Sequence, residues 1–265
     1  MPIESVSDFV RMARGALLAT GFVRHEKDGI VWFEGGPKDA SAPTIVFVHG
    51  VNDHAGTWFT VAPALAPTHR VILPDLPGHG ESAPKDAPLP LPLLLDKLDV
   101  AIGDARDFTL VGNSLGGWLA MLYTLKHPDR VKHLVLEAAG GLSLPFETPI
   151  VAHDREEAVT ILRAVHGPKY VAEDWVIDSL LQRAVDSPML RLTEVEPYFV
   201  DGRLGEIHVP TTLIWGANDG VLPVKYAEVL RSGIAGAKLH VLEGAAHIPH
   251  LQAPEPYLAC LMATF

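Results

Sequence analysis

The chain has 265 residues, 48% hydrophobic and 20% charged, with a formal net charge of -11. That length suits one large single-core domain, or a core with a modest insertion, and the apolar content excludes disorder over any long stretch. So acidic a chain, with no run of Lys and Arg, lacks the footprint of a nucleic-acid binder and is repelled by anionic membrane surfaces.

The single cysteine, Cys260, excludes an intramolecular disulfide framework and a multi-Cys metal site. It is expected as a small buried residue on the last helix. At the N-terminus no basic region precedes an apolar core, so no signal peptide is expected. The apolar stretch 13–23 contains Arg14 and is too short to span a bilayer. The expectation is a cytoplasmic protein without membrane insertion.

In chain order, short runs rich in β-branched residues predict strands over 29–33, 44–49, 70–73, 108–112, 131–137, 211–215 and 238–242. Several are continuously apolar rather than alternating, as in parallel strands buried on both faces. Helical periodicity falls between them, over 91–105, 114–127, 224–232 and from about 254 to the end; the second of these stops before Pro128. The Pro-rich stretch 84–92 reads as a loop. This alternation predicts an α/β fold, a mostly parallel twisted sheet flanked by helices. Residues 141–203 interrupt it with helical patterns, clearest at 154–166 and 174–185, and no good strand. A plain crossover needs only about a dozen residues. The longer segment is therefore expected as a helical cap on a core formed by 1–140 and 204–265.

Four loops carry the chemistry. Gly112-Asn113-Ser114-Leu115-Gly116 follows a strand and opens a helix, the context that turns G-x-S-x-G into a nucleophile elbow. Side chains at the flanking positions would collide with the neighbouring strand and helix. His49-Gly50-Val51 follows an earlier strand, so Val51 and Leu115 are the expected backbone donors of an oxyanion hole. At the end of that strand His49 is expected to order its loop rather than act as base. Asp219, after the strand 211–215, and His247, after 238–242, lie on the same sheet edge as Ser114, in the chain order Ser, Asp, His. His247 would serve as general base and acid, and Asp219 would orient it. Glu137 at the end of 131–137 is the alternative acid, and His250 the alternative base.

These motifs, with Asp75-Leu76-Pro77-Gly78-His79-Gly80-Glu81-Ser82, resemble the α/β-hydrolase superfamily from about Ile30 to the C-terminus. The chain is most similar to small bacterial serine esterases and lipases with a short helical cap, through the elbow followed by Gly117 and Trp118. Its serine nucleophile sets it apart from the family's dehalogenases and epoxide hydrolases, which carry aspartate there. Carbon–carbon bond hydrolases of ring-cleavage products share the Asn-Ser pair, but usually place Trp after the catalytic His, where this chain has Ile248. They also bind an acidic dienoate through a cap arginine, for which Arg163, Arg183 and Arg191 are the candidates.

The resemblance implies hydrolysis of a small-molecule carboxylic ester through an acyl-enzyme, with no metal or organic cofactor. Carbon–carbon cleavage of a dienoate is the alternative. A non-enzymatic binding module would be expected to have lost a triad member, and all three are in place. Leu142, Leu144, Phe146 and Trp175 are expected to shape an apolar pocket or to pack the cap.

Overall fold

The computed structural model describes residues 3–39 and 41–265. The chain opens with α1 (Val6–Ala19), whose Ser5 hydroxyl caps it by accepting the Asp8 N–H at 3.1 Å. The helix buries Ala13 and Leu17 against the core. A hairpin follows. β1 (Val23–Lys27) pairs antiparallel with β2 (Ile30–Gly35) through Asp28 and Gly29, both at positive φ (51° and 77°), as a two-residue turn matching strand twist requires.

β3 (Thr44–Val48) and β4 (Arg70–Asp75) enclose the short helices at Ala55–Thr60 and Ala62–Leu65, the latter α2. β5 (Leu89–Pro90) leads into α3 (Leu91–Ile102), then β6 (Phe108–Asn113), α4 (Leu115–Lys126) and β7 (Val131–Glu137). The chain leaves the sheet there for α5 (Arg155–His166), α6 (Asp174–Ala184), α7 (Pro188–Arg191) and β8 (Leu192–Thr193). It returns with β9 (Thr211–Gly216), α8 (Val224–Gly233), β10 (Lys238–Leu242), α9 (Pro249–Gln252) and α10 (Pro254–Met262).

The main sheet has eight strands in the order β1-β2-β4-β3-β6-β7-β9-β10. β2 runs antiparallel to both its neighbours, and the remaining pairs are parallel. This is the α/β-hydrolase fold with its mostly parallel central sheet. One core, around Leu94, Leu119 and Trp215, packs on one face; a second, around Leu17, Trp58 and Tyr257, packs on the other. The segment between β7 and β9 carries a third, small cluster of Ala152, Ala158, Leu162 and Ile177.

Four elements depart from the sequence expectation. α1 and β1 were not anticipated: β1 has no apolar stripe, being exposed at four of five positions, and forms because the hairpin turn brings it to β2. Pro-rich 84–92 is not all loop, and 141–203 is not free of strand. Leu89–Pro90 pairs in parallel with Leu192–Thr193, tying the inserted segment to the core. Cys260 lies on α10 but is only partly buried, at the margin of the second core. Among the described residues no helix is long and apolar enough to cross a membrane.

Candidate active site

Ser114 stands between β6 and α4 at φ 53° and ψ -115°, a conformation that costs a non-glycine residue energy and persists only where its surroundings impose it. Its N–H donates to Glu137 C=O at 3.0 Å, and its C=O accepts the N–H groups of Gly140 (3.0 Å) and Trp118 (3.1 Å). The glycines explain how the turn fits. A Cβ on Gly116 would meet the Val48 carbonyl at 2.1 Å, and one on Gly112 would meet the Gly116 carbonyl at 2.2 Å. Sharp reversal of the chain thus lifts the serine hydroxyl clear of the sheet.

Asp219 lies in the turn after β9, buried, with Oδ1 accepting the N–H groups of Val221 and Leu222 at 2.9 Å each. Its Oδ2 accepts from His247 Nδ1 at 2.9 Å. That bond leaves His247 Nε2 free of the proton and open toward the cavity. Burial opposes the charged imidazolium, but the charge and hydrogen bond of Asp219, helped by Glu137, outweigh it and raise the His247 pKa above the ordinary 6.5. The loops of both residues hang on the last turn of α5. Carbonyls of that turn, which lack intrahelical donors, bind them: Ala164 accepts the Gly220 N–H at 3.0 Å, and Val165 accepts the His247 N–H at 3.1 Å.

Ser114, His247, Val51 and Leu115 line one cavity of about 320 Å³. Its wall is mainly apolar, including Trp118, Phe146, Ile161, Leu162, Leu180 and Ile248. Among the described residues the backbone N–H groups of Val51 and Leu115 have no acceptor within the protein; Leu115 is the first residue of α4, where no intrahelical acceptor exists. No hydrogen bond joins Ser114 Oγ to His247 Nε2, a contact that often tightens only when substrate is bound.

The alternatives pair with each other. Glu137 Oε1 accepts from His250 N–H (3.1 Å) and Nδ1 (2.7 Å), and both side chains are fully buried. His250 Nε2 contacts Thr57 Oγ1 at 2.9 Å, and its ring lies 4.1 Å from that of Trp58. Behind the pair Tyr257 is buried, and burial together with the Glu137 charge holds its phenol well above the usual range. His49 has the loop-ordering geometry: Nε2 accepts the Leu76 N–H at 3.0 Å, which places the proton on Nδ1 for donation to Gly50 C=O at 2.7 Å. The Asp75–Ser82 segment is scaffold. Asp75 accepts from Ala55 N–H, Glu81 N–H and Arg14 Nη2, and Ser82 stitches the turn to β2 through Val31 N–H.

Of the three candidate arginines only Arg183 lines the cavity, donating Nη2 to Asn52 C=O at 2.7 Å. Arg191 binds the carbonyls of Gly78, Pro84 and Ala87, and Arg163 is exposed on α5. Of the four apolar residues expected at the pocket only Phe146 lines it; Leu142 packs into the first core, and Leu144 and Trp175 lie elsewhere. Three residues not singled out from sequence take part. Asn113 donates Nδ2 to His247 C=O at 3.0 Å. His166, its pKa lowered by burial and by the proximity of His247, lines the cavity beside Tyr170. Asn52 meets the inserted segment. Asn113 sits inside the elbow motif; His166 and Asn52 carried no sequence signal.

Residues 45–259 match the model of the alpha/beta hydrolase family. A 2-hydroxy-6-oxononadienedioate/2-hydroxy-6-oxononatrienedioate hydrolase of Cupriavidus pinatubonensis is 31% identical over 240 residues, covering 78% of this chain and 81% of the relative. A monoacylglycerol lipase of Xenopus laevis is 24% identical over 255 residues, covering 82% and 73%. Among solved structures, a bacterial membrane phospholipase A superposes with a TM-score of 0.78 at 25% identity, covering 97% of this chain and 92% of the other.

The close approach at Gly116 has a measurable consequence. Gly116→Ala should lose about 1–3 kcal/mol in urea denaturation, since the obstructing atoms are backbone. Gly140→Ala, with nothing nearer than 3.7 Å, should stay within about 0.5 kcal/mol of wild type.

Proposed function

The chain belongs to the alpha/beta hydrolase family, and from that premise we propose that it hydrolyses small carboxylic esters through an acyl-enzyme on Ser114. The observation that carries the reading is the Asp219–His247 pair opening onto the same largely apolar cavity as Ser114. Ser114 Oγ attacks the ester carbonyl while His247 Nε2 takes its proton. The tetrahedral oxyanion is held by the N–H groups of Val51 and Leu115, and Asp219 stabilises the imidazolium. Collapse of the intermediate expels the alcohol, protonated by His247. Water, deprotonated by His247, then attacks the acyl-enzyme and releases the acid. A cavity of about 320 Å³ is at the small end of ligand sites and suits short or medium acyl groups. The membrane phospholipase A likeness and the monoacylglycerol lipase relative support ester chemistry.

Arg183 in the cavity wall favours one second reading, carbon–carbon cleavage of an acidic dienoate, the class named for the relative at 31% identity. A guanidinium with one hydrogen bond to a carbonyl keeps donors for a substrate carboxylate. Parallel assays of p-nitrophenyl butyrate and a vinylogous diketo acid separate the two. Turnover of the ester alone is expected, and turnover of the diketo acid alone would move the assignment.

Ser114→Ala should lower ester kcat by a factor of about 10⁴ or more, and a fluorophosphonate probe should label Ser114 and no other serine. Asp219→Asn should cost about 10³–10⁴ in kcat with the fold retained. Glu137→Gln should instead cost mainly stability, about 3–5 kcal/mol, because it breaks a buried pair; the reverse pattern would reassign the acid.

The raised His247 pKa sets the pH dependence. The free base is the active form, so kcat/KM should rise through a pKa above 6.5. Removing the Asp219 charge destabilises the imidazolium, so residual activity of Asp219→Asn should show its acid limb at lower pH. An unmoved limb would mean that Asp219 does not govern the base.

A further inference from the structure

Asn52 directly follows Val51 and is held from the inserted segment at two points. Ser187 Oγ donates to Asn52 Oδ1 at 2.7 Å, and Arg183 Nη2 donates to Asn52 C=O at 2.7 Å. Ser187 is buried, and Asn52 is in the left-handed region at φ 63°, which asparagine tolerates better than most residues.

The bonds continue inward. The Asn52 carbonyl shares a peptide plane with the Asp53 N–H, which donates to Gly50 C=O at 3.4 Å. That carbonyl in turn shares its plane with the Val51 N–H, and His49 Nδ1 donates to it at 2.7 Å. In a trans peptide C=O and N–H point in opposite directions, so whatever holds the Gly50 carbonyl aims the Val51 amide. Hydrogen bonds linked in series also polarise one another.

We propose that Asn52 is the link by which the inserted helices aim the Val51 amide, with Ser187 and Arg183 as positioning residues for the oxyanion hole. The inference rests on the reading of Val51 as an oxyanion donor. The hole is then complete only when the α6–α7 segment is seated on the Asn52 loop. His49 holds the peptide from the core side and Arg183 and Ser187 hold it from the other. A substrate that fills the cavity under α6 would secure the seating and so complete the catalytic geometry.

Steady-state kinetics on p-nitrophenyl butyrate, which has no carboxylate for Arg183, test the link, together with inhibition by an alkyl trifluoromethyl ketone, a tetrahedral adduct former. Complete loss of an oxyanion donor costs about 10²–10³ in kcat, so Ser187→Ala, which loosens one without removing it, should cost about tenfold. KM should stay within about twofold, and the ketone should weaken by the same factor as kcat, since only interactions stronger in the transition state are lost. Ser187→Thr should restore both.

Ser187 also caps α7 through the Met189 N–H at 3.2 Å, so its loss lowers the melting temperature somewhat on its own. A double-mutant cycle removes that contribution. Asn52→Gly suits φ 63° and deletes the acceptor, and Asn52→Gly/Ser187→Ala should be no slower than the slower single variant. Asn52→Asp, which keeps the acceptor, should retain most activity.

Wild-type kcat and ketone affinity in Ser187→Ala, or single losses that multiply in the double variant, would overturn the link while leaving the ester reading intact. A wild-type enzyme that does not bind the ketone would overturn the oxyanion reading, and the link with it.

Discussion

The first turn of α4 rests on the end of β3, and a backbone carbonyl there leaves no room for a side chain at residue 116. From that contact the rest of the site follows. The chain must reverse within a residue, and the residue at the apex is Ser114 with φ 53°. Its hydroxyl is pushed out of the sheet, and the following amide becomes the first N–H of a helix with no acceptor of its own. The strain at Ser114 is offset by three backbone hydrogen bonds around it, one to the last residue of β7, one from the loop after it and one from α4. The placement of the serine and the scaffold are therefore one piece of packing.

The second organising element is the helical segment between β7 and β9. Helices end with carbonyls that need donors, and α5 spends two of them on the loops that carry Asp219 and His247. α6 and α7 reach the third loop, at Asn52. A segment that could have been only a cover is thus hydrogen-bonded to three of the four loops at the cavity. Underneath, two acid–histidine pairs divide the work by burial. Asp219–His247 opens onto the cavity and keeps a free ring nitrogen, whereas Glu137–His250 is sealed between Thr57, Trp58 and Tyr257 and ties α9 to β7.

Much of this was legible in the residues themselves. Short runs rich in β-branched residues mark seven of the main sheet's strands, and the runs without alternation among them mark strands covered on both faces. The glycine spacing around Ser114 can be read as an elbow because only a tight strand–turn–helix needs small residues on both sides. The edge strand β1 could not be read in this way, since exposed polar residues leave no pattern and only the Asp28–Gly29 turn hints at it. Phe146 facing the cavity, with Leu142 in the core and Trp175 away from it, was equally hidden: one apolar residue in a helical insertion looks like another until the segment is docked.

Local chemistry in the chain determined which loops hold a serine, an acid, a histidine and a free amide, and their order along one sheet edge, because strand ends and turn residues are written in short stretches of sequence. Which acid meets which histidine was decided only by tertiary structure. Glu137 ends a strand on that edge and Asp219 lies in the turn after another, and His247 and His250 are three residues apart. Only the folded turn after β10 sends one ring into the cavity and the other beneath it. The same holds for Asn52 and Ser187, separated by 135 positions and joined by one hydrogen bond: nothing within either stretch encodes the other, and packing of the inserted helices on the core brings them together.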